Sequence, residues 1–553
     1  MIRELSHAHG EELPTYDVCV VGSGPAGMTL AAELAASGRS VCVLESGGRR
    51  PTPYGDRLRA VECDGIEIKE YSRERVLGGA STTWAGLSSP LDAIDCEARP
   101  QRPDWGWPIT RAELIEDYQR AAERYRFAPL ELFEPDGFAA LRREGDLQPT
   151  WRHLEEKVFL AAAEPQDFGR EWRHVFEGEG ADLYLDATVL RLEHGDDDAR
   201  ITHALAASPD GRTHAVRARR FILATGGIEN ARLLLNSRDR SPAGLGNEHD
   251  QVGRHLMNHP KNYHGLIRLA RPVRELPYYF GCLKAGFAGY AGLRLSERTQ
   301  RERDCLNAYV RFEPLFPWSD NLGVEAFVLL VKRSRRLLRF WKRRHEDDVV
   351  TLRDYAETGD DSELQNERKS ALGWLKMVGL VGANAFTVAR YVVARLSSGA
   401  SPIVKTIRVR NFMEMEPCAQ NRVVLGEDTD AHGQPVPLVC HHPTELDRRS
   451  LIALHEVLGE ELERNGIGVF TSDLAHADPW PIDYDASHHM GTTRMGTDPE
   501  HSVVNPDCRL HSVENVYLAG SSVFPTSGCA NPTFTIVALA IRLARHLDQG
   551  GAA

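Results

Sequence analysis

Residues 487–496, SHHMGTTRMG, set two histidines side by side, His488 and His489, before a glycine turn late in a chain of 553 residues. Imidazole suits proton transfer because its ordinary pKa, about 6.5, lies close to neutral pH. In extended backbone, adjacent side chains leave opposite faces, so the two rings cannot both address one planar reactant. The pattern alone does not say which ring does chemistry. It also leaves room for the commoner fate of a histidine, a hydrogen-bonded place in a core or on a surface.

The N-terminal end shows what such a base would be placed against. "YDVCVVGSGPAGMTLAAELAASGRSVCVLESGG" begins with an apolar run, residues 18–21, that reads as a strand covered on both faces. Gly22, Gly24 and Gly27 follow, around Pro25 and Ala26, and then a helical stretch with small residues at Ala31, Ala32, Ala35 and Ala36. A second apolar strand ends on Glu45, next to Ser46. This is the arrangement of a dinucleotide site. Gly22 permits a tight turn, Gly24 lets backbone amides approach a pyrophosphate, Gly27 allows helix to pack on strand, and the acid binds ribose hydroxyls. A G-x-G-x-x-G run alone is a weak signal; strand, loop, helix, strand and terminal acid together are not. "RVLGGASTTWAG" adds Gly78, Gly79 and Gly86 among Ser81, Thr82 and Thr83, a loop able to lie against a planar ring and its phosphates. "ADLYLDATVLRLE" reads as strands around Thr188 and Val189, and "FILATGGIENARLLLNS" as strand, Gly226-Gly227 turn and helix.

Composition bounds the rest. A chain this long exceeds one core, which stops growing near roughly 250–300 residues. Apolar residues make up 42% and charged residues 26%, an ordinary globular mixture, and the net charge of −13 argues against a nucleic-acid partner. Ten cysteines lie scattered without C-x-x-C or metal-type spacing. The N-terminus shows no secretory or twin-arginine signal, so a cytoplasmic location is expected.

The motifs resemble, in order and over most of the chain, those of the glucose–methanol–choline (GMC) oxidoreductases, a family of FAD enzymes. They are the fingerprint, the GGASTTW loop, "GWPITRAELIEDYQRA", "LATGGIENARLLL", "VGRHLMNHP", "NRVVLGEDTDAHGQPVP", "HHMGTTRMG" and "YLAGSSVFPTSGCANPTFTIVALAIRLA". The resemblance implies an α/β (α+β overall) fold. A Rossmann-like FAD-binding domain would come from residues 1–100, 180–260 and 480–553. A substrate domain with a mostly antiparallel sheet would come from 101–179 and 261–479, with a helical insertion at 327–398. Register against Gly491-Thr492 implies His488 as the catalytic base and Asn531 of "GCANPT" as its partner, with His489 turned to packing or to the substrate rim. The implied FAD contacts add Val189, Gly520, Ser521, Pro532 and Thr533 to the fingerprint and loop residues, and Asn531 again. The helix that starts near Pro532 would aim its positive dipole end at the flavin.

Two departures from the family pattern matter. Thr83 stands where some members carry a histidine bonded to FAD, so the cofactor is expected to be noncovalent. Gly520-Ser521 replaces an acid found in many members. Gly520 and the CANPT form resemble the pyranose-oxidase and sugar-dehydrogenase side of the family. The expected substrate is a sugar or glycoside hydroxyl, and the expected electron acceptor oxygen or a quinone-like molecule. A non-sugar alcohol, a flavin-containing lyase and a non-catalytic flavoprotein scaffold are the competing readings.

One stretch lies outside these motifs. "FVLLVKRSRRLLRFWKRRHEDD" carries eight Lys/Arg residues between Lys332 and Arg344, and "GWLKMVGLVGANAFTVARYVVARL" follows. Both read as amphipathic helices, a solvated arm or oligomer contact ahead of a peripheral membrane helix. The second run is interrupted by Asn384, Arg390 and Arg395 and is too short of apolar residues to span a bilayer.

Overall fold

The computed structural model describes the chain except residues 9, 11, 137–138, 140–146, 148, 163, 179, 196–199, 275–277, 279–286, 334–370, 397–402, 483–486 and 550–553. The basic run after Arg333 thus falls outside the described residues.

The apolar run near the N-terminus forms the strand Tyr16–Val21, which pairs in parallel with Val41–Leu44 on one side and Thr213–Leu223 on the other. Backbone groups on both edges are therefore satisfied, and side chains on both faces are buried. The parallel part of the sheet runs Ile2–Glu4, Ala181–Leu185, Val41–Leu44, Tyr16–Val21, Thr213–Leu223, Val516–Leu518. Its strands come from three separated parts of the chain. The long strand Thr213–Leu223 also leads an antiparallel extension through Ile201–Ala207 to Thr188–His194. The helices Pro25–Ala36 and Thr533–Gln549 pack on each other, and the small residues Ala31 and Ala32, both buried, allow that approach.

A second sheet of six antiparallel strands runs Gly468–Thr471, Lys261–Val273, Val404–Phe412, Tyr309–Leu315, Phe287–Leu295, Leu154–Ala162. Its alternation divides the work. Ile407, Val409, Val310, Phe312, Ala291 and Leu293 share one core with Leu451, Leu454, Leu458 and Leu462 of the helix Glu445–Arg464. Tyr290, Tyr309, Arg311, Arg410 and Phe412, on the opposite face, line a cavity. Thr444 and Asp447 form a capping box that fixes where that covering helix starts. A small three-stranded sheet, Arg422–Thr429, Pro435–His441 and Glu62–Gly65, braces the first domain. An arm of three helices, Leu322–Arg333, Ala371–Ala383 and Ala385–Leu396, has small cores of its own around Leu329 and Met377 and around Val388 and Tyr391.

Candidate functional site

The carboxyl ends of the parallel strands open into a cavity of about 420 Å³. Residues following four strands line it: Gly22 to Ala26, Glu45 and Ser46, Ala224 to Gly227, and Gly520 and Ser521. This is where open α/β sheets bind ligands. Gly22 has φ +99°, and a Cβ there would lie 2.7 Å from the Ala224 carbonyl. A Cβ on Gly27 would collide with the Gly22 carbonyl, so that glycine lets the helix sit against the turn. Gly24, Gly226 and Gly520 differ, since a Cβ on any of them would meet no protein atom within 4 Å. Gly24 and Gly520 have their empty side on a cavity that they both line. The helix behind Gly24 starts with Pro25 and has no side-chain cap, leaving first-turn N–H groups for an anion. These are the features a dinucleotide's pyrophosphate requires.

Glu45 is buried at the end of its strand. Its carboxylate accepts from the Ser23 N–H at 3.0 Å, the Ser23 hydroxyl at 2.6 Å and the Gly47 N–H at 2.8 Å. Burial raises its pKa, while those three donors and Arg75 pull the other way. The bonds hold Glu45 in place: Oε2 is taken by the two Ser23 donors, and Oε1, which accepts from Gly47, is the oxygen that can meet a ribose hydroxyl. Beside it, Glu229 is held well below the usual carboxylate range: burial opposes ionisation, but Arg75, Arg232 and Arg73 outweigh it. Glu229, Arg73, Arg75 and Arg232 all line the cavity, and sequence patterns did not single them out.

Pro25, Ala26, Gly79, Ser81, Thr83, Val189, Asn531, Pro532 and Thr533 also line the cavity. Gly27, Gly78 and Thr82 do not. Gly78 gives its N–H to the Ser23 hydroxyl at 3.1 Å and backs onto Gly169, while Thr82 is exposed and turns its hydroxyl back to the Gly79 carbonyl at 2.9 Å. They shape the loop from behind. The alternating Ser-Thr-Thr pattern gave no way to tell the inner from the outer hydroxyls.

His488 and His489 both line the cavity. The His489 carbonyl accepts from the Ser521 hydroxyl at 2.7 Å, toward the Gly226-Gly227 and Gly520-Ser521 turns. His488 turns toward the antiparallel sheet. Its N–H is held by Asn258 Oδ1 at 2.8 Å, and its Nδ1 lies 3.0 Å from Nδ1 of His259. Nε2 of His259 in turn lies 2.8 Å from the Gly528 carbonyl.

Those two contacts assign the protons. A carbonyl only accepts, so His259 carries its proton on Nε2; neutral, it offers a lone pair at Nδ1. His488 must then donate from its own Nδ1. Its Nε2 is left unprotonated, the state of a ring ready to receive a proton. Both rings are neutral at physiological pH: burial lowers His259 to about 4 against the pull of the Gly528 carbonyl, and burial, then His259, His489 and Lys261, lowers His488 well below its usual value. His259 was missed by sequence reasoning. It stands in the quoted "VGRHLMNHP", yet only the fold brings it to a residue 229 positions later.

Gly528 ties this pair to the loop that carries Asn531. Its N–H donates to Glu414 at 2.9 Å, its carbonyl takes the His259 proton, its φ is +55°, and a Cβ would strike the Asp95 carboxylate. Thr526, two residues earlier, donates to the Asp95 carbonyl at 2.5 Å and accepts from Trp107 at 2.8 Å. Asp95 itself is pushed up to about 7 by burial and by the neighbouring Asp92 and Glu414.

Comparison with known proteins agrees with this geometry. Residues 17–242 match the family model described as FAD dependent oxidoreductase, and residues 417–540 that described as GMC oxidoreductase. The chain is 23% identical to paromamine 6'-oxidase of Streptomyces fradiae, over 96% of this chain and 91% of that protein. It is 27% identical to the fructose dehydrogenase large subunit of Gluconobacter japonicus over 67% of its own length, but spans only 55% of that relative. Pyridoxine 4-oxidase from Mesorbium loti superposes with a TM-score of 0.53 at 16% identity, covering 96% of this chain and 99% of that one, and so shares the fold. With a glycine-lined cavity at the strand ends and both segments in place, the chain carries the FAD dependent oxidoreductase and GMC oxidoreductase sequences of FAD-dependent enzymes acting on CH–OH groups.

Proposed function

We propose that this enzyme oxidises a hydroxyl group on a sugar or glycoside, of pyranose or aminosugar type, to the carbonyl, with His488 as general base. The observation that carries the reading is the unprotonated Nε2 of His488 beside a cavity wall of mixed aromatic and cationic character. Tyr290, Tyr309 and Phe412 offer ring faces for the C–H side of a sugar, and Lys261, Arg311 and Arg410 offer donors for its hydroxyls. Arg311 lies over Tyr290 at 5.1 Å and is paired with Glu313, so the wall is rigid. The similarity to an oxidase of paromamine supports the same substrate class.

His488 takes the hydroxyl proton at Nε2. Asn531 directs an amide N–H to the same oxygen, where negative charge grows as the proton leaves. FAD, which Gly24, Glu45 and Ser521 would hold, would supply the acceptor for the hydride leaving the carbon, with oxygen or a quinone-like molecule as the final electron acceptor. The His259 and Gly528 contacts keep the His488 ring from turning its protonated nitrogen to the substrate. Mixing the enzyme without oxygen against sugars, glycosides, aminoglycosides and simple alcohols tests the reading. Bleaching of the yellow flavin band is expected with a sugar or glycoside; bleaching by simple alcohols alone, or by nothing, contradicts it.

The cofactor reading makes two further predictions. Thr83 uses its hydroxyl on the Tyr71 and Ala80 carbonyls, at 3.0 and 3.2 Å, and has no group for a flavin bond. Acid precipitation should therefore release all flavin to the supernatant, unchanged in mass. Gly24→Val should fold, because its Cβ meets no protein atom, and yet lose FAD, because the side chain enters the pyrophosphate's place. Flavin per polypeptide is expected to fall about tenfold or more, with far-ultraviolet circular dichroism unchanged.

A further inference from the structure

The three-helix arm leaves an apolar surface with nothing on it. Of the large apolar side chains exposed among the described residues, Leu322, Leu372, Leu375, Val378, Phe386 and Val393 all lie on this arm. On Ala371–Ala383 they fall three and six residues apart, on one side of the helix, opposite the buried Met377. On Ala385–Leu396, Phe386 and Val393 share the side away from Val388 and Tyr391. Singly exposed apolar residues are ordinary; a cluster of this kind marks a contact surface.

Charge identifies what the surface meets. Residues 371–396 contain Lys376, Arg390 and Arg395 and no acid, in a chain of net charge −13. The helix Leu322–Arg333 adds Lys332 and Arg333 against one acid, Glu325. An apolar face whose charges are mostly positive is complementary to an anionic lipid surface. We propose that the arm docks this enzyme on anionic membranes, lying in the headgroup layer.

The arm's shape favours lying over crossing. Leu372–Ala383 and Ala385–Ala394 meet at 81°, and each is far shorter than the roughly 20 residues a bilayer requires. The bend is built in. Asn384 donates to the Leu380 carbonyl at 2.9 Å and accepts from Asn321 at 3.0 Å, and Gly323 packs against its Cβ. The root of the arm also touches the substrate wall: Asp320 pairs at 2.8 Å with Arg408, on the strand that carries Arg410 and Phe412. Docking would bring the substrate end of the cavity near the lipid.

Flotation of the full-length holoenzyme tests this, with vesicles of phosphatidylcholine alone and of phosphatidylcholine and phosphatidylglycerol in equal parts. About tenfold more protein should float with the anionic vesicles, and high salt should reverse the difference. Leu372→Asp/Phe386→Asp and Lys376→Glu/Arg390→Glu should each abolish flotation while flavin content and activity stay at the wild-type level. Equal flotation of wild type and variants, or no flotation on anionic vesicles, overturns the proposal. So does a wild-type oligomer that the same variants split, since the face would then be a contact between copies.

Discussion

Replacing His488 with glutamine should slow flavin reduction about 10²- to 10⁴-fold, the range for loss of a positioned general base, and leave FAD bound. Glutamine keeps a polar group of similar reach beside His259 but has no basic nitrogen. The His488 main-chain bond to Asn258 does not involve the side chain and should survive the change. The flavin cradle is made of other residues, Gly24, Glu45, Gly226 and Gly520 among them. Stopped-flow reduction without oxygen reads the rate, and the flavin spectrum reads cofactor retention. Reduction within a few-fold of wild type would remove His488 from the role of base.

The second large effect is expected at His259, which acts through His488 and is a positioning residue. His259→Leu removes the acceptor for the His488 Nδ1 proton, so the ring can carry its proton on Nε2 or turn over. Reduction should slow by about 10- to 100-fold, as when the partner that orients a functional histidine is removed. The acid limb should also move to higher pH, because His259 is one of the groups that lower His488. His259→Gln should recover most of the loss: its amide N–H can donate to the Gly528 carbonyl while its oxygen accepts from His488. A merely structural role would give equal losses in the two variants and no movement of the pH profile.

The N-terminal half of the site was legible because its chemistry is local. The turn, the helix start and the acid all fall within residues 16–45, and glycine spacing reports directly on backbone approach. The histidine pair itself was also legible, from the motif that carries it. Their relation to Gly528 and His259 was not, since it depends on chain crossings between the two sheets. The substrate wall shows the same limit. Alternation within 309–315 and 404–412 marks two-faced strands, but no single strand reveals that Tyr309, Arg311, Arg410 and Phe412 converge with Tyr290 on one cavity. Gly78 and Thr82 show the reverse case, residues of the right type that lie behind the cavity wall.

The central claim is a neutral His488 with its free nitrogen on the substrate. The anaerobic rate of flavin reduction at low substrate, measured against pH, tests it most directly. A base whose pKa is lowered on folding stays competent as pH falls through 6.5 and loses activity only near its own lowered value. The wild-type rate should hold from pH 8 to below 6, and the rate of His488→Gln should be lower at every pH. A wild-type rate that halves at pH 6.5 or above would contradict it.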